Sequence, residues 1–350
     1  MIVYFITKLY KLKKIRKDLI VRKVPDIKIT NNSSKPLINS QKFKKDPEAI
    51  DIRRVQVLRK LETGNYGDIH NGLLEVGNSE SEKTQLPILV KRISTSSSEI
   101  QKTMLLEELS VMRTVKPHPN VLCLVGVVLL KSQLPYTIFE YVERLSLLDY
   151  LRTCEASLDL NSFAYQIANG MKFLASVPIV HRDLSLKNIS LTNDKIIKIG
   201  GLGLAGFDRD QYYIREITED APFSLELLSP EAFEEWEFTE KSDVWAFGVC
   251  LFELFSLGKV SYDGVDDIQE FLRNGGRLVK PEYCSQEIYT LMLNCWNFDP
   301  VIRPTFSQCV EFFAQILDSI DPQIRPQLDQ RLHTALEHQK NLREQAHDNS

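Results

Sequence analysis

The sequence predicts an α+β chain in two unequal parts: a small β-rich part with one helix, then a larger, mainly helical part. Two changes of hydrophobic period carry this reading. From Ile52 to Arg92, short β-rich runs are broken by Gly, Asn and the polar stretch GNSESEKTQ, the pattern of successive strands and turns. After Leu147 the apolar residues recur mostly at helical spacing, in 147–153, 161–175, 243–256, 286–296 and 305–318. Between the two lie one helix, 99–115, with Ile100, Met104, Leu105, Leu109, Met112 and Val115 near helical spacing, and two apolar strand candidates, VLCLVGVVLL and YTIFEYV.

Composition bounds the rest. With 350 residues, 43% hydrophobic and 26% charged, the chain is long enough for one two-lobed domain with some tail at each end. Six cysteines lie far apart, mostly within apolar runs, and form no CxxC pair; they read as reduced core thiols of a cytosolic protein. The net charge is −4, yet residues 1–23 hold eight Lys/Arg against one acid. Their apolar run stops at Lys8, short of the roughly 20 residues of a membrane span, and no small-residue cleavage site follows. Three readings stay open for this segment: a basic interfacial anchor on anionic lipid, the cytoplasmic end of a span lying upstream, or a basic tail. Residues 24–51, with NNSSKP, read as a linker, and 321–350 as a polar C-terminal tail, partly helical at most.

The chemistry-bearing segments come in a fixed order. LETGNYGDIHNG sets Gly64, Gly67 and Gly72 in a strand–turn–strand context, where backbone N–H groups can approach phosphate with no Cβ in the way; a plain hairpin has the same pattern. ILVKRI ends an apolar strand on Lys91. A lysine there needs a partner, because an unpaired buried charge is costly, and LLEELSVM offers Glu107 and Glu108. The most specific segment is HRDLSLKN, between two apolar runs. In it Asp183 can accept a hydroxyl proton, and Asn188, five residues on, can hold a metal.

Together these segments resemble a protein kinase of the tyrosine-kinase group. The match covers about residues 55–317 and includes HPNVLCLVGV, KIGGLG, SPEA at 229–232, KSDVWAFGVCLFELFSLG at 241–258 and CWNFDPVIRPTF at 295–306. Ser185, two residues after Asp183, and Lys187, four after it, fit the tyrosine-kinase catalytic loop. The resemblance implies a two-lobed kinase domain over 52–320, with an N-lobe of about 52–142 and a C-lobe of about 143–320. It implies ATP and Mg²⁺ as cofactors. It assigns catalytic roles to Lys91, Glu108, Arg182, Asp183 and Asn188. It assigns the nucleotide wall to Leu61, Gly64, Gly67, Ile69, Leu89, Lys91, Phe139, Glu140, Val142 and Ser190. Structural roles fall to Glu231, Asp243 and Arg303, and a regulatory column to Met112, Leu124, His181 and Leu202. Tyr212 and Tyr213 resemble activation-segment phosphorylation sites, with Arg182 as receiver. The expected partners are other signalling proteins, a receptor or a second kinase, and an anionic membrane at residues 1–23, but not nucleic acid. The expected location is the cytoplasm, at the inner face of the plasma membrane or as the intracellular part of a receptor.

Several positions depart from the family pattern. The second Mg²⁺ ligand, the aspartate of Asp-Phe-Gly, belongs where this chain has Gly201. Asp208 and Asp210, seven and nine residues on, are the nearest carboxylates after it. Leu89 replaces the alanine that faces adenine, Ser190 an apolar floor residue, and Glu62 the first glycine of the loop. In PFSLELLSPE, Ser224, Glu226 and Leu227 replace the Pro, Lys and Trp that present a peptide tyrosine. These departures predict a retained fold with eroded phosphate chemistry: an inactive or impaired tyrosine-kinase-like signalling protein, with an active tyrosine kinase as the alternative.

Overall fold

The computed structural model describes residues 46–64, 67–77, 83–93, 97–130, 133–143, 146–153, 159–207 and 224–348. Residues 1–23, Cys154, Asp208, Asp210, Tyr212 and Tyr213 lie outside them, so the expectations placed there are not addressed by the structure. Among the described residues, no helix is long and apolar enough to cross a membrane.

The N-lobe is a five-stranded antiparallel sheet. Its strands are β1 (Val55–Gly64), β2 (Gly67–Val76), β3 (Thr84–Arg92), β4 (Leu124–Val128) and β5 (Tyr136–Glu140), in the order β1-β2-β3-β5-β4. Helix α1 (Glu99–Thr114) begins at a capping box: Ser98 Oγ accepts from Gln101 N–H while Gln101 Oε1 accepts from Ser98 N–H. One side of it buries Met104, Leu105, Leu109 and Met112. The expected linker ends earlier than residue 51. Ile50 is buried in the N-lobe core, and Glu48 and Ile50 pair with Val127 through backbone hydrogen bonds of 2.9 and 2.7 Å. An isolated isoleucine in a polar stretch gives no periodicity, so its burial was not legible from sequence.

The C-lobe contains α2 (Leu147–Thr153), α3 (Leu160–Ser176), α4 (Pro230–Glu234), α5 (Glu240–Phe255), α6 (Ile268–Arg273), α7 (Gln286–Cys295) and α8 (Phe306–Ile320). Two short antiparallel ladders join them: the hairpin of β7 (Ile189–Leu191) with β8 (Ile197–Ile199), and the longer-range pair of β6 (Ile179–Val180) with β9 (Gly206–Phe207). α5 is apolar nearly all round and accordingly central, with Val244, Trp245, Phe247, Val249, Cys250, Leu251 and Leu254 all buried. Five of the six cysteines are described; all five are free and buried, as the spacing predicted.

The main departure from expectation is the C-terminus. Residues 321–350 are polar, but Ile324–His347 form one 24-residue helix, α9, and it is not a loose tail. Leu328, Leu332, Gln339, Leu342 and Ala346 are buried, and Ala335 is partly so. Their spacing of 4-3-4-3-4 is a single seam along one side of a helix. The polar residues on the other faces mask that seam in any average over the segment.

Candidate functional site

β3 carries Lys91 into the cleft between the lobes, and α1 presents Glu108 to it. The Lys91 Nζ–Glu108 Oε2 distance is 2.5 Å and both side chains are buried. The sequence offered Glu107 and Glu108 equally; the helix phase selects Glu108. A buried ion pair is costly to break from one side, so this pair fixes α1 against the sheet.

Below the cleft, the catalytic loop rests on Asp243 of α5. Its carboxylate accepts from the N–H of His181 at 2.7 Å and of Arg182 at 2.9 Å. Complete burial pushes the Asp243 carboxyl up to about 7, against the lowering effect of those two hydrogen bonds. Arg182 sits at φ +66°, and its guanidinium lies over the Phe238 ring at 5.7 Å. His181 is buried, its imidazole pushed down to about 4 by desolvation, and Nε2 meets the Gly200 carbonyl at 2.9 Å. Met112, Leu124, His181 and Leu202 are all buried, as the regulatory column required, and the three apolar members belong to one core cluster.

The turn after β8 is the informative place. Gly201 adopts φ +72°, ψ +30°. A Cβ built on it would stand 2.6 Å from Asn188 Cγ and 2.8 Å from Asn188 Oδ1. Asn188 is thus drawn into the room a side chain at 201 would need. Its amide donates to the Asp183 carbonyl at 2.7 Å and to Asp183 Oδ2 at 2.8 Å. Lys187 Nζ lies 3.8 Å from Asp183 Oδ1 and donates to Ser224 Oγ at 2.9 Å. The catalytic loop is therefore engaged with itself and with the segment that would present a peptide.

Mg²⁺ takes near-octahedral oxygen ligands, usually one or two carboxylates together with substrate phosphates. Asn188 bonds Asp183 through Nδ2, which leaves its oxygen as the atom that could ligate, and no second carboxylate joins the two. Among the described residues, no three His, Cys, Asp or Glu side chains converge to hold a metal. These residues do not fit the family's metal arrangement.

The residues expected on the nucleotide wall lie on β1, β2, β3, β5 and β7 and just after β5. Leu89 pairs with Phe139 across β3 and β5 and is only 2% exposed. It shares one apolar cluster with Val142, and Leu61 and Ile69 pack against that cluster. Gly64 and Gly67 close the β1–β2 hairpin; Gly67 needs φ +130°, and a Cβ there would meet the Arg92 carbonyl at 2.9 Å. Glu62 is solvent-accessible, but partial desolvation and Asp149 push its carboxyl above the usual range while Lys91 pulls it down. It is thus within electrostatic reach of the residue that would grip phosphate. Ser190 lies on β7 opposite Lys198.

Glu140, expected on the nucleotide wall, uses its carboxylate within the protein. Its side chain points to the rear of the hinge. Oε1 accepts from Cys123 N–H at 2.8 Å and from Gln339 Nε2 at 2.6 Å, and Oε2 pairs with buried Lys198 at 2.9 Å. Sequence reasoning missed Lys198 and Gln339. The available signal for Lys198 was a lysine inside the apolar run KIIKI, which requires a buried partner. Deeper in the C-lobe, Glu231 and Arg303 form the expected pair in a two-pronged geometry, at 2.6 and 2.8 Å.

Comparison with known proteins agrees with this layout. The family model for protein tyrosine and serine/threonine kinases matches residues 55–313. The chain is 36% identical to the tyrosine-protein kinase receptor old-1 of Caenorhabditis elegans, over 81% of this chain and 62% of that protein. It is 33% identical to the tyrosine-protein kinase receptor ver-3 of the same organism, over 84% of this chain and 29% of that protein. It is 36% identical to fibroblast growth factor receptor 1 of Xenopus laevis, over 66% of this chain and 30% of that protein. The chain thus spans from under a third to under two thirds of the length of these relatives. With its two lobes, its Lys91–Glu108 pair and its His181–Asn188 loop, it belongs to the protein kinases, in the tyrosine-kinase group.

Proposed function

We propose that this chain is a tyrosine-kinase-like signalling protein that is catalytically inactive or strongly impaired, acting through its surface as a scaffold or allosteric partner. One observation carries the reading: by the family pattern Gly201 stands where a metal-binding carboxylate belongs, and the Asn188 side chain occupies the space that a side chain at 201 would need. Phosphoryl transfer is almost wholly positioning and charge neutralisation. Losing one neutral oxyanion donor already costs about 10²–10³ in rate, and a metal-ligand carboxylate weighs at least as much. Leu89 on the adenine wall, Ser190 on its floor and Glu62 beside the phosphate path support the same reading. Its partners would be a receptor or a second kinase, in the cytoplasm and at the inner membrane face if residues 1–23 hold anionic lipid.

The intact Lys91–Glu108 pair and the complete HRDLSLKN loop favour a second reading, an active tyrosine kinase with altered metal use. The experiment is a thermal-shift titration of the full chain with ATP, alone and with Mg²⁺ or Mn²⁺, followed by autophosphorylation against an Asp183→Asn control. The proposal expects no metal-dependent shift and no phosphotyrosine. Phosphotyrosine that disappears in Asp183→Asn would overturn it and establish the second reading. Tyr212 and Tyr213 would then be the first positions to map.

A further inference from the structure

α9 is built to touch both lobes. At about 1.5 Å per residue its 24 residues span about 36 Å. Its first half lies on the C-lobe, where Leu328 and Leu332 pack with Ile196 and Leu317, and Arg331 donates to the Asp194 carbonyl at 3.0 Å. Its last turns lie on the N-lobe, where Leu342 and Ala346 enter the core formed by Ile50, Val55, Leu74, Ile88, Val125 and Ile138. Arg54 donates to the Ala346 and Gln345 carbonyls, Arg343 pairs with Glu48 at 3.0 Å, and a His347 ring nitrogen meets the Val125 carbonyl at 2.9 Å.

Between the two halves sits Gln339, fully buried at the rear of the hinge. Its Nε2 donates to the Val121 carbonyl and to Glu140 Oε1, and the other oxygen of Glu140 holds Lys198 of the C-lobe. A polar residue in an otherwise apolar helical seam fixes register at a cost in stability. Here it fixes one place, the last residue of β5, where the chain passes from one lobe to the other.

We propose that α9 is a strap that sets the angle between the lobes from behind, so that the arrangement placing Lys91 on Glu108 persists with nothing bound in the cleft. Kinase-type lobes otherwise hinge around the nucleotide cleft. A strap covalently continuous with α8 and seated in the N-lobe core resists that rotation at a constant, intramolecular effective concentration. The inference does not depend on whether the cleft is active.

Hydrogen exchange on the full chain tests it. In the unaltered protein, the amides of 336–347 should be protected together with those of β4. Gln339→Glu sets a second carboxylate against Glu140. It should raise exchange at 336–347, at β4 and at 139–142 by tenfold or more while leaving α5 unchanged. In parallel, the distance between spin labels at Leu58→Cys and Val279→Cys, in a Cys154→Ser background, should broaden in Gln339→Glu. Both labelled positions are exposed, on opposite lobes. If Gln339→Glu does not fold, Arg343→Glu, which removes the pair with Glu48 and the contact with Cys123, is read the same way. Three results would overturn the proposal: unprotected 336–347 in the unaltered chain, release of α9 with β4 and the label distance unchanged, or equal acceleration across both lobes.

Discussion

The front and the rear of the hinge contrast. At the front, the positions that the family pattern gives to metal and nucleotide hold Gly201, an Asn188 bonded to Asp183 through Nδ2, and a buried Leu89. At the rear and beneath, the polar groups that hold the scaffold have their partners: Glu140 with Lys198 and Gln339, Asp243 under the catalytic loop, Glu231 on Arg303. The two regions share strands, since Phe139 and Glu140 are neighbours on β5. The difference teaches that the scaffold's ion pairs and the groups of the cleft answer to separate physical demands. A buried scaffold ion that loses its partner destabilises every molecule. A missing metal ligand leaves the fold intact and lowers only the reaction rate.

The largest effect is expected from the scaffold. Glu231→Ala leaves the fully buried Arg303 side chain without its carboxylate and should cost about 3–5 kcal/mol, read as a lowered urea midpoint. A cost near that of a surface substitution would break the contrast.

Leu89→Ala comes next. At a buried position it should cost about 2–5 kcal/mol through the cavity it leaves. If that cavity lies on the adenine wall, ATP should recover part of the loss in thermal unfolding. Destabilisation with no recovery by ATP would place Leu89 in the core alone.

Gly201→Asp sharpens the comparison from the other side. The new Cβ must displace Asn188 from Asp183, so the single substitution should destabilise by about 1–3 kcal/mol. Combined with Leu89→Ala it should raise Mg²⁺-dependent ATP affinity, measured by calorimetry. Unchanged nucleotide binding in the double variant would show that Gly201 does not govern the metal position.

The smallest effect is a pH slope. Burial pushes His181 and His118 down to about 4 in the folded chain, against about 6.5 when unfolded. The unfolded chain therefore takes up protons first as pH falls, and stability drops between pH 6.5 and 4. Asp243 acts in the opposite sense, because the fold holds its proton up to about 7 against 3.8 unfolded. Asp243→Asn should thus steepen the acid-side loss in urea midpoint and His118→Gln should flatten it. The reverse order would show that these groups are less desolvated than their burial implies.

The helices and strands were legible because their apolar residues keep a period: 99–115 was expected and Glu99–Thr114 is found, and 286–296 became Gln286–Cys295. The candidate site was legible as a list, since Lys91, Asp183, Asn188 and Gly201 lie in short contiguous motifs. The direction each side chain takes was not. The Glu140 carboxylate meets Cys123, Lys198 and Gln339, and nothing in YTIFEYV says which way a residue at a strand end points.

The sequence by itself determined the family, the two-lobed α+β architecture and the glycine at position 201. Those are properties of residue type and spacing along the chain. Only the tertiary structure decided that Asn188 closes on Asp183, that Lys198 and Gln339 converge on Glu140, and that residues 324–347 cross both lobes. The physical reason is separation. Gln339 lies 199 residues from Glu140, and alone it reads as an ordinary surface polar group. It is burial, which removes water as a partner, that makes these side chains satisfy one another.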